Sequence, residues 1–327
     1  MVSEFPRLNV ALSDCLSGCE CRYNGGHAQD EFVIHQLAAY ADFFKFCPEA
    51  PVLGTPREPI RLVQGNDSIR VVGTKSGRDV TDGLLDYTEK KLAFLQKQSL
   101  DGAVVKSRSP SCGLERIKVY RPSGEWFGSQ DPMDQGVFTK RLQEALPWIA
   151  IEEEGRLQDP WLRENFMLHV FTLARWRNFL QKQTGVADLQ AFHRDHKYLL
   201  LSKNESLYRQ MGPIVAEARK DTLQDSLQAY EGLLHRLLAT KSNKGKMLNT
   251  LEHMYGYFKK QVGEAEKELF RSTLQEFKEG IVPLISVMKL LQQFIHRYGS
   301  EYLQGQVILD PYPPELALRS HLQAYKS

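Results

Sequence analysis

LNVALSDC (residues 8–15) reads as a buried strand that runs straight into a cysteine, and GAVVKSRSPSC (residues 102–112) repeats the arrangement. Both apolar runs are short and nearly continuous, the pattern of a strand covered on two faces rather than one. If the two strands are parallel neighbours, the loops after them meet at one edge of the sheet. That edge, beyond the carboxyl ends of the strands, is where open α/β sheets bind ligands. Further strands are expected at residues 60–63, 70–73 and 148–152, with helical spacing over 30–46, 80–98 and 136–146. Strands alternating with helices predict an α/β N-terminal domain, Rossmann-like, with a mostly parallel sheet and helices on both faces.

After Gly155 the pattern changes. Residues 160–183 carry Trp161, Phe166, Leu168, Phe171, Leu173 and Trp176 near a 3.6-residue period. More helices are expected over 185–202, 205–219, 222–239, 246–278 and 281–298. The Pro-rich tail VILDPYPPELALRSH reads as an extended surface segment before a short terminal helix. The division is therefore a catalytic domain over residues 1–155 and an all-α C-terminal domain over 156–327.

Composition excludes some classes of function. The 327 residues carry a net charge of +2, so no global field draws the chain to nucleic acid or an anionic membrane. Any polyanion site must be a local patch. No secretory signal is legible at the N-terminus and no apolar run reaches the roughly 20 residues that span a bilayer, so the expectation is a cytoplasmic protein without a membrane partner.

The five cysteines, Cys15, Cys19, Cys21, Cys47 and Cys112, all fall in the first 112 residues of the chain. A reducing compartment makes a structural disulfide the weakest account of the C-x3-C-x-C loop. Structural zinc wants paired knuckles, and a second pair is missing; the common iron–sulfur spacings also fail. Metal site, reactive thiols and plain loop cysteines thus stay open. Arg22 beside the loop, and Lys106 and Arg108 near Cys112, would stabilise thiolates. Three thiolates from two loops suit a cluster with one iron left open, and an open position is what makes a metal site catalytic.

CLSGCECRYNGG, CPE at residues 47–49, GTPREPIRL at 54–62 and SRSPSCG at 107–113 together resemble the thiouracil desulfidase (TudS-like) family, over roughly residues 8–150. The resemblance implies a 4Fe–4S cluster with three cysteine ligands, Cys15, Cys21 and Cys112, and one open iron; Cys19 falls on a variable position and receives no role. It implies that the thiocarbonyl sulfur of a thiolated pyrimidine binds the open iron while water attacks C4, without net redox change. It sets Glu49 beside the cluster as a general acid/base, with an N-cap or an ion pair to Arg57 as the structural alternative. Ser109 is the second catalytic candidate, and Ser111, Arg22, Tyr23, Asn24, Lys106 and Arg108 are substrate-binding candidates. Cys47 reads as a small buried hydrophobe.

The segment AFHRDHKYLLLSKNESLYRQMG (residues 191–212) resembles a helical domain of unknown function fused to this enzyme, an arrangement similar to RudS-type desulfidases of 4-thiouridine in tRNA. That resemblance makes tRNA the expected partner. A desulfidase of free thiouracil or thionucleosides, and a non-catalytic iron–sulfur or zinc sensor, are the alternatives. Lys241, Lys244, Lys246, Lys259 and Lys260, interleaved with Tyr255, Tyr257 and Phe258, form the candidate RNA patch, against the plainer reading of a solvated helix end.

Overall fold

The computed structural model describes residues 5–182 and 184–316. Its first strand, β1 (Leu8–Ser13), is buried at Leu8, Val10, Leu12 on one face and Ala11, Ser13 on the other. It therefore sits inside a sheet. The sheet is all parallel, in the order β2 (Ala41–Phe46), β1, β5 (Gly102–Val105), β8 (Ala150–Glu153). The strand pair expected from sequence is adjacent and parallel, with Leu12 opposite Val104.

β2 was not expected. The helical spacing over residues 30–46 resolves into α1 (Glu31–His35), a short 3-10 turn at Leu37–Ala39, and β2. Asp30 caps α1 by accepting from the Val33 amide at 3.0 Å. Phe43 and Phe44, within the stretch of helical spacing, instead line an edge strand whose register against β1 runs from Ala41 to Phe46.

A second sheet was also not expected. β3 (Ile60–Gln64) and β4 (Ile69–Gly73) form an antiparallel hairpin, β6 (Ile117–Tyr120) pairs parallel with β3, and the two-residue β7 (Met133–Asp134) closes the edge. Sequence placed residues 60–63 and 70–73 as strands but could not assign them to a separate sheet, because pairing partners are non-local.

One helix serves both sheets. α3 (Thr81–Leu95) sends Leu84 into the core of the second sheet with Leu62, Val71 and Val119. Leu92 and Leu95 enter the core of the parallel sheet with Ala11, Ala103 and Val105. α4 (Val137–Ala145) adds Phe138, which stacks on Phe46 at 4.1 Å between centroids. α2 is a single turn, Ala50–Leu53.

Contacts divide the chain into a unit of residues 1–166 and 173–177 and a unit of residues 167–172 and 178–327. α5 (Pro160–Leu180) contributes to both. The second unit is helical: α6 (Val186–Lys203), α7 (Glu205–Glu217), α8 (Leu223–Ala239), α9 (Lys244–Tyr255), α10 (Glu264–Glu279), α11 (Leu284–Tyr298) and α12 (Glu301–Gln304). The single helix expected over 246–278 is two helices. The chain leaves the helix after Gly256, buries Phe258, and restarts at Gly263, whose amide donates to Glu266 at 3.1 Å. The tail is not a surface strap: Ile308, Tyr312 and Leu316 are buried. The short terminal helix expected after it lies outside the described residues. Among the described residues no helix is long and apolar enough to cross a membrane.

Candidate functional site

The four parallel strands deliver four loops to one place. Cys15 follows β1; Cys47, Pro48 and Glu49 follow β2; Lys106 to Cys112 follow β5; Glu154 follows β8. The first three loops line a cavity of about 950 Å3. Its opposite wall comes from the second sheet, through Arg61 and Leu62 of β3 and Lys118 and Tyr120 of β6. The site thus stands at the carboxyl edge of the parallel sheet, the position that open α/β folds favour.

Cys15, Cys21, Cys47 and Cys112 all line this cavity. Burial pushes the Cys15 thiol up to about 12, reinforced by Cys47 and opposed by Lys106 and Arg22. Burial likewise pushes Cys21 and Cys112 up. Thiolates are costly at this depth unless a cation compensates them, which is what iron would provide. Cys19 does not line the cavity, but it is not remote. The ligand atoms of Asp14, Cys19 and Cys21 lie within 4.8 Å of one another, a spacing for a single ion. Ligands of a multi-iron cluster sit on different irons and stand further apart.

Cys112 is held by its own loop. The Ser109 hydroxyl accepts from the Cys112 amide at 3.1 Å, and Thr139 donates to the Cys112 carbonyl at 2.6 Å. Gly136 makes this approach possible. A Cβ there would meet the Ser111 carbonyl carbon at 2.5 Å and the Cys112 amide nitrogen at 2.6 Å.

Glu49 is the most connected carboxylate of the cavity. Its Oε1 accepts from Ser111 at 2.5 Å and from Ser109 at 3.2 Å. Its Oε2 accepts from Arg57 at 2.8 Å, with both side chains largely buried. Ser109 and Ser111 lie 2.9 Å apart, and Ser111 is 3.5 Å from the Cys112 sulfur. The expected Arg57 ion pair exists, but it engages one oxygen only and leaves Oε1 to the two serines. Arg57 also donates to the carbonyls of Cys21 and Gly54, each at 3.1 Å.

The other candidates divide. Arg22, Tyr23 and Arg108 line the cavity. Asn24 does not: its amide oxygen accepts from Gly26 at 3.2 Å and shapes the loop. Lys106 lines the cavity, yet its ammonium is spent on Ser107 and Glu154. It is an internal counter-charge rather than a free substrate contact. In the helical unit, Lys244 donates to the Lys278 carbonyl at 3.2 Å and Lys246 to the Lys203 carbonyl at 2.8 Å, so two of the five candidate RNA lysines cap internal carbonyls. Tyr255 stacks on Phe270 at 4.2 Å and Phe258 is buried, so these aromatics are core. Lys241, Lys259, Lys260 and Tyr257 are exposed.

Sequence reasoning missed Cys47 as a cavity residue, and it set the Arg57 ion pair against a chemical role for Glu49, whereas the pair engages Oε2 and leaves Oε1 to the serines. Cys47 accepts from the Ala50 amide at 3.4 Å and faces Cys21. The signal was available in the CPE and PREP segments, but only the β2 strand makes it readable.

Residues 10–154 match the family model described as 2-thiouracil desulfurase. Residues 197–313 match a family of unknown function, DUF1722. The chain is 38% identical over 113 residues to the uncharacterized protein YbbK of Bacillus subtilis (strain 168), covering 32% of this chain and 72% of that one. It is 22% identical over 157 residues to the uncharacterized protein YbgA of Escherichia coli (strain K12), covering 48% of this chain and 93% of that one. Among solved structures it is similar to a 4Fe–4S-dependent thiouracil desulfidase, TudS, at 30% identity and a TM-score of 0.37, over 46% of this chain and 94% of that one.

Proposed function

The chain belongs to the 2-thiouracil desulfurase family, and on that premise we propose that it removes sulfur from 4-thiouridine in tRNA, with a 4Fe–4S cluster held by Cys15, Cys21 and Cys112. The observation that carries the reading is that those three thiols, Cys21 and Cys112 buried and Cys15 partly so, line one cavity, with the Glu49–Ser109–Ser111 hydrogen-bond cluster beside Cys112. The donor set fits: thiolates suit iron–sulfur clusters, and the buried thiols need a cation to ionise. When bound, such a cluster with one iron free of protein ligands supplies a Lewis acid for the thiocarbonyl sulfur.

The reaction exchanges C=S for C=O: one water enters, hydrogen sulfide leaves, and no electron is transferred. Two proton movements are needed. Arg57 holds Glu49 Oε2, so Oε1 is the oxygen that takes a proton from the attacking water, directly or through the Ser109 hydroxyl. The same carboxyl returns that proton to the sulfur, then takes the proton of the added hydroxyl as the C–S bond breaks and passes it on, so that both water protons leave on hydrogen sulfide. Ser111, at 2.5 Å from Oε1, fixes the carboxylate plane. Arg22, Tyr23 and Arg108 line the substrate space. In the helical unit, the exposed Lys241, Lys259 and Lys260 remain as RNA contacts.

Anaerobic reconstitution followed by loss of near-ultraviolet thiocarbonyl absorbance tests the proposal, with thiolated tRNA and free 4-thiouridine in parallel. Turnover of tRNA is the expected result. Turnover of the nucleoside alone refutes the tRNA assignment and leaves a small-molecule desulfidase, the reading closest to the family description. An intact cluster without turnover of either substrate refutes both.

A further inference from the structure

The cavity is far more cationic than one small base requires. Arg22, Arg61, Arg108 and Lys118 line it, and none of the four has a carboxylate partner among the described residues. Asp14 and Glu49 are the acidic residues of the lining, and Glu49 is committed to Arg57.

The cationic wall is joined to the loop between β6 and β7, which itself sets Arg121 against Glu125 and Asp131 and adds no net positive charge. Lys118 sits over the Trp126 ring at 4.3 Å and Arg61 donates to the Gly124 carbonyl at 3.3 Å, so two cavity residues anchor the loop. The loop is rigid by its own bonds. Asp131 accepts from the Phe127 amide at 2.5 Å and from Arg121 at 2.7 Å, and Arg121 donates from its amide to the Glu125 carbonyl at 2.9 Å. What it holds outward is Phe127, 49% exposed, with the Arg121 guanidinium over its ring at 4.5 Å.

A single exposed phenylalanine is ordinary. One held on a hydrogen-bonded loop, under an arginine and continuous with a cationic cavity wall, has the chemistry of a stacking platform for unpaired nucleotides. We propose that the Arg121–Pro132 loop is a rim that stacks a nucleotide neighbouring the thiolated one, so that the catalytic unit itself selects polynucleotide over free nucleoside. The inference rests on the RNA reading above and deepens it. The phosphates on either side of the target run along Arg61 and Lys118, while Phe127 carries the adjacent base. Stacking accepts any base, so the rim confers a preference for a strand rather than for a sequence.

The test is steady-state kinetics of the reconstituted full-length protein on a short RNA containing one 4-thiouridine, and on free 4-thiouridine. Phe127→Ala is expected to raise KM for the RNA about tenfold with kcat retained, and to leave KM for the nucleoside unchanged. Phe127→Trp keeps the platform and is expected to restore the RNA KM. In the wild type, KM for the RNA is expected to rise with salt and that for the nucleoside to stay flat. An unchanged RNA KM in Phe127→Ala overturns the rim while the RNA reading stands. An equal KM rise for both substrates also overturns it, because the loop would then only support the cavity. If the wild type turns over the nucleoside but not the RNA, the RNA reading itself fails and the rim falls with it.

Discussion

Replacing Arg57 by methionine should show that Glu49 works as half of a pair. Arg57 contributes one charge-assisted hydrogen bond to Glu49 Oε2 at 2.8 Å, from a side chain only 5% exposed. A bond of this class is worth about 1.5–3 kcal/mol net. If that energy fixes Oε1 toward the serines and the attacking water, its loss lowers kcat by about 10- to 150-fold, at 1.36 kcal/mol per tenfold. Glu49→Gln removes the proton acceptor itself and should cost about 10^2–10^4 in kcat. Arg57 also holds the Cys21 carbonyl, an effect on cluster retention that normalising to iron removes; its remaining effect runs through Glu49, so the double variant should be no slower than Glu49→Gln alone. The assay is anaerobic single-substrate kinetics on all four proteins, normalised to iron content. Losses that multiply in the double variant would refute the argument, since Arg57 would then act independently. An Arg57→Met protein with wild-type kcat would refute it more directly.

Three further outcomes are expected. Cys112→Ser should lose the visible absorbance and iron of the reconstituted protein while Cys19→Ser keeps them; the reverse pattern in iron analysis would assign the metal to the Asp14–Cys19–Cys21 group instead. Gly136→Ala should drive a Cβ into the Ser111–Cys112 peptide and reduce iron retention several-fold, measured as iron per chain, with the far-ultraviolet spectrum little changed. In the helical unit, burial pushes His193 down to about 4, with Lys197 adding to the effect. A depressed histidine stabilises the fold above its unfolded value near 6.5 and loses that contribution as pH falls toward 4. With the ring only half-buried, the loss is about 2 kcal/mol, read as a wild-type fall in urea midpoint between pH 6.5 and 4 that His193→Gln reduces.

The sequence by itself determined the pieces with local causes. GAVVK is apolar through Gly102–Val105 and LNVALS sets Leu8, Val10 and Leu12 against the small Ala11 and Ser13, so both read as interior strands, and each leads into a cysteine loop. The helical half is set by side-chain periodicity, which runs on past the break that Gly256 and Gly263 make between α9 and α10. Motif spacing alone left metal, thiol chemistry and packing open; the four ordered segments, taken together, carried the family resemblance. The tertiary structure decided everything that depends on which strand lies beside which. Residues 41–46 carry a pattern that fits a helix face, and only pairing with β1 makes them a strand. That strand brings Cys47 and Glu49 to the cysteine loops, and the second sheet supplies Arg61 and Lys118 as the far wall. Strand pairing joins residues tens of positions apart through backbone hydrogen bonds that any sequence can make. Side-chain patterns along the chain therefore reveal that a segment is a strand, while its neighbours, and with them the cavity, are fixed only when the whole core packs.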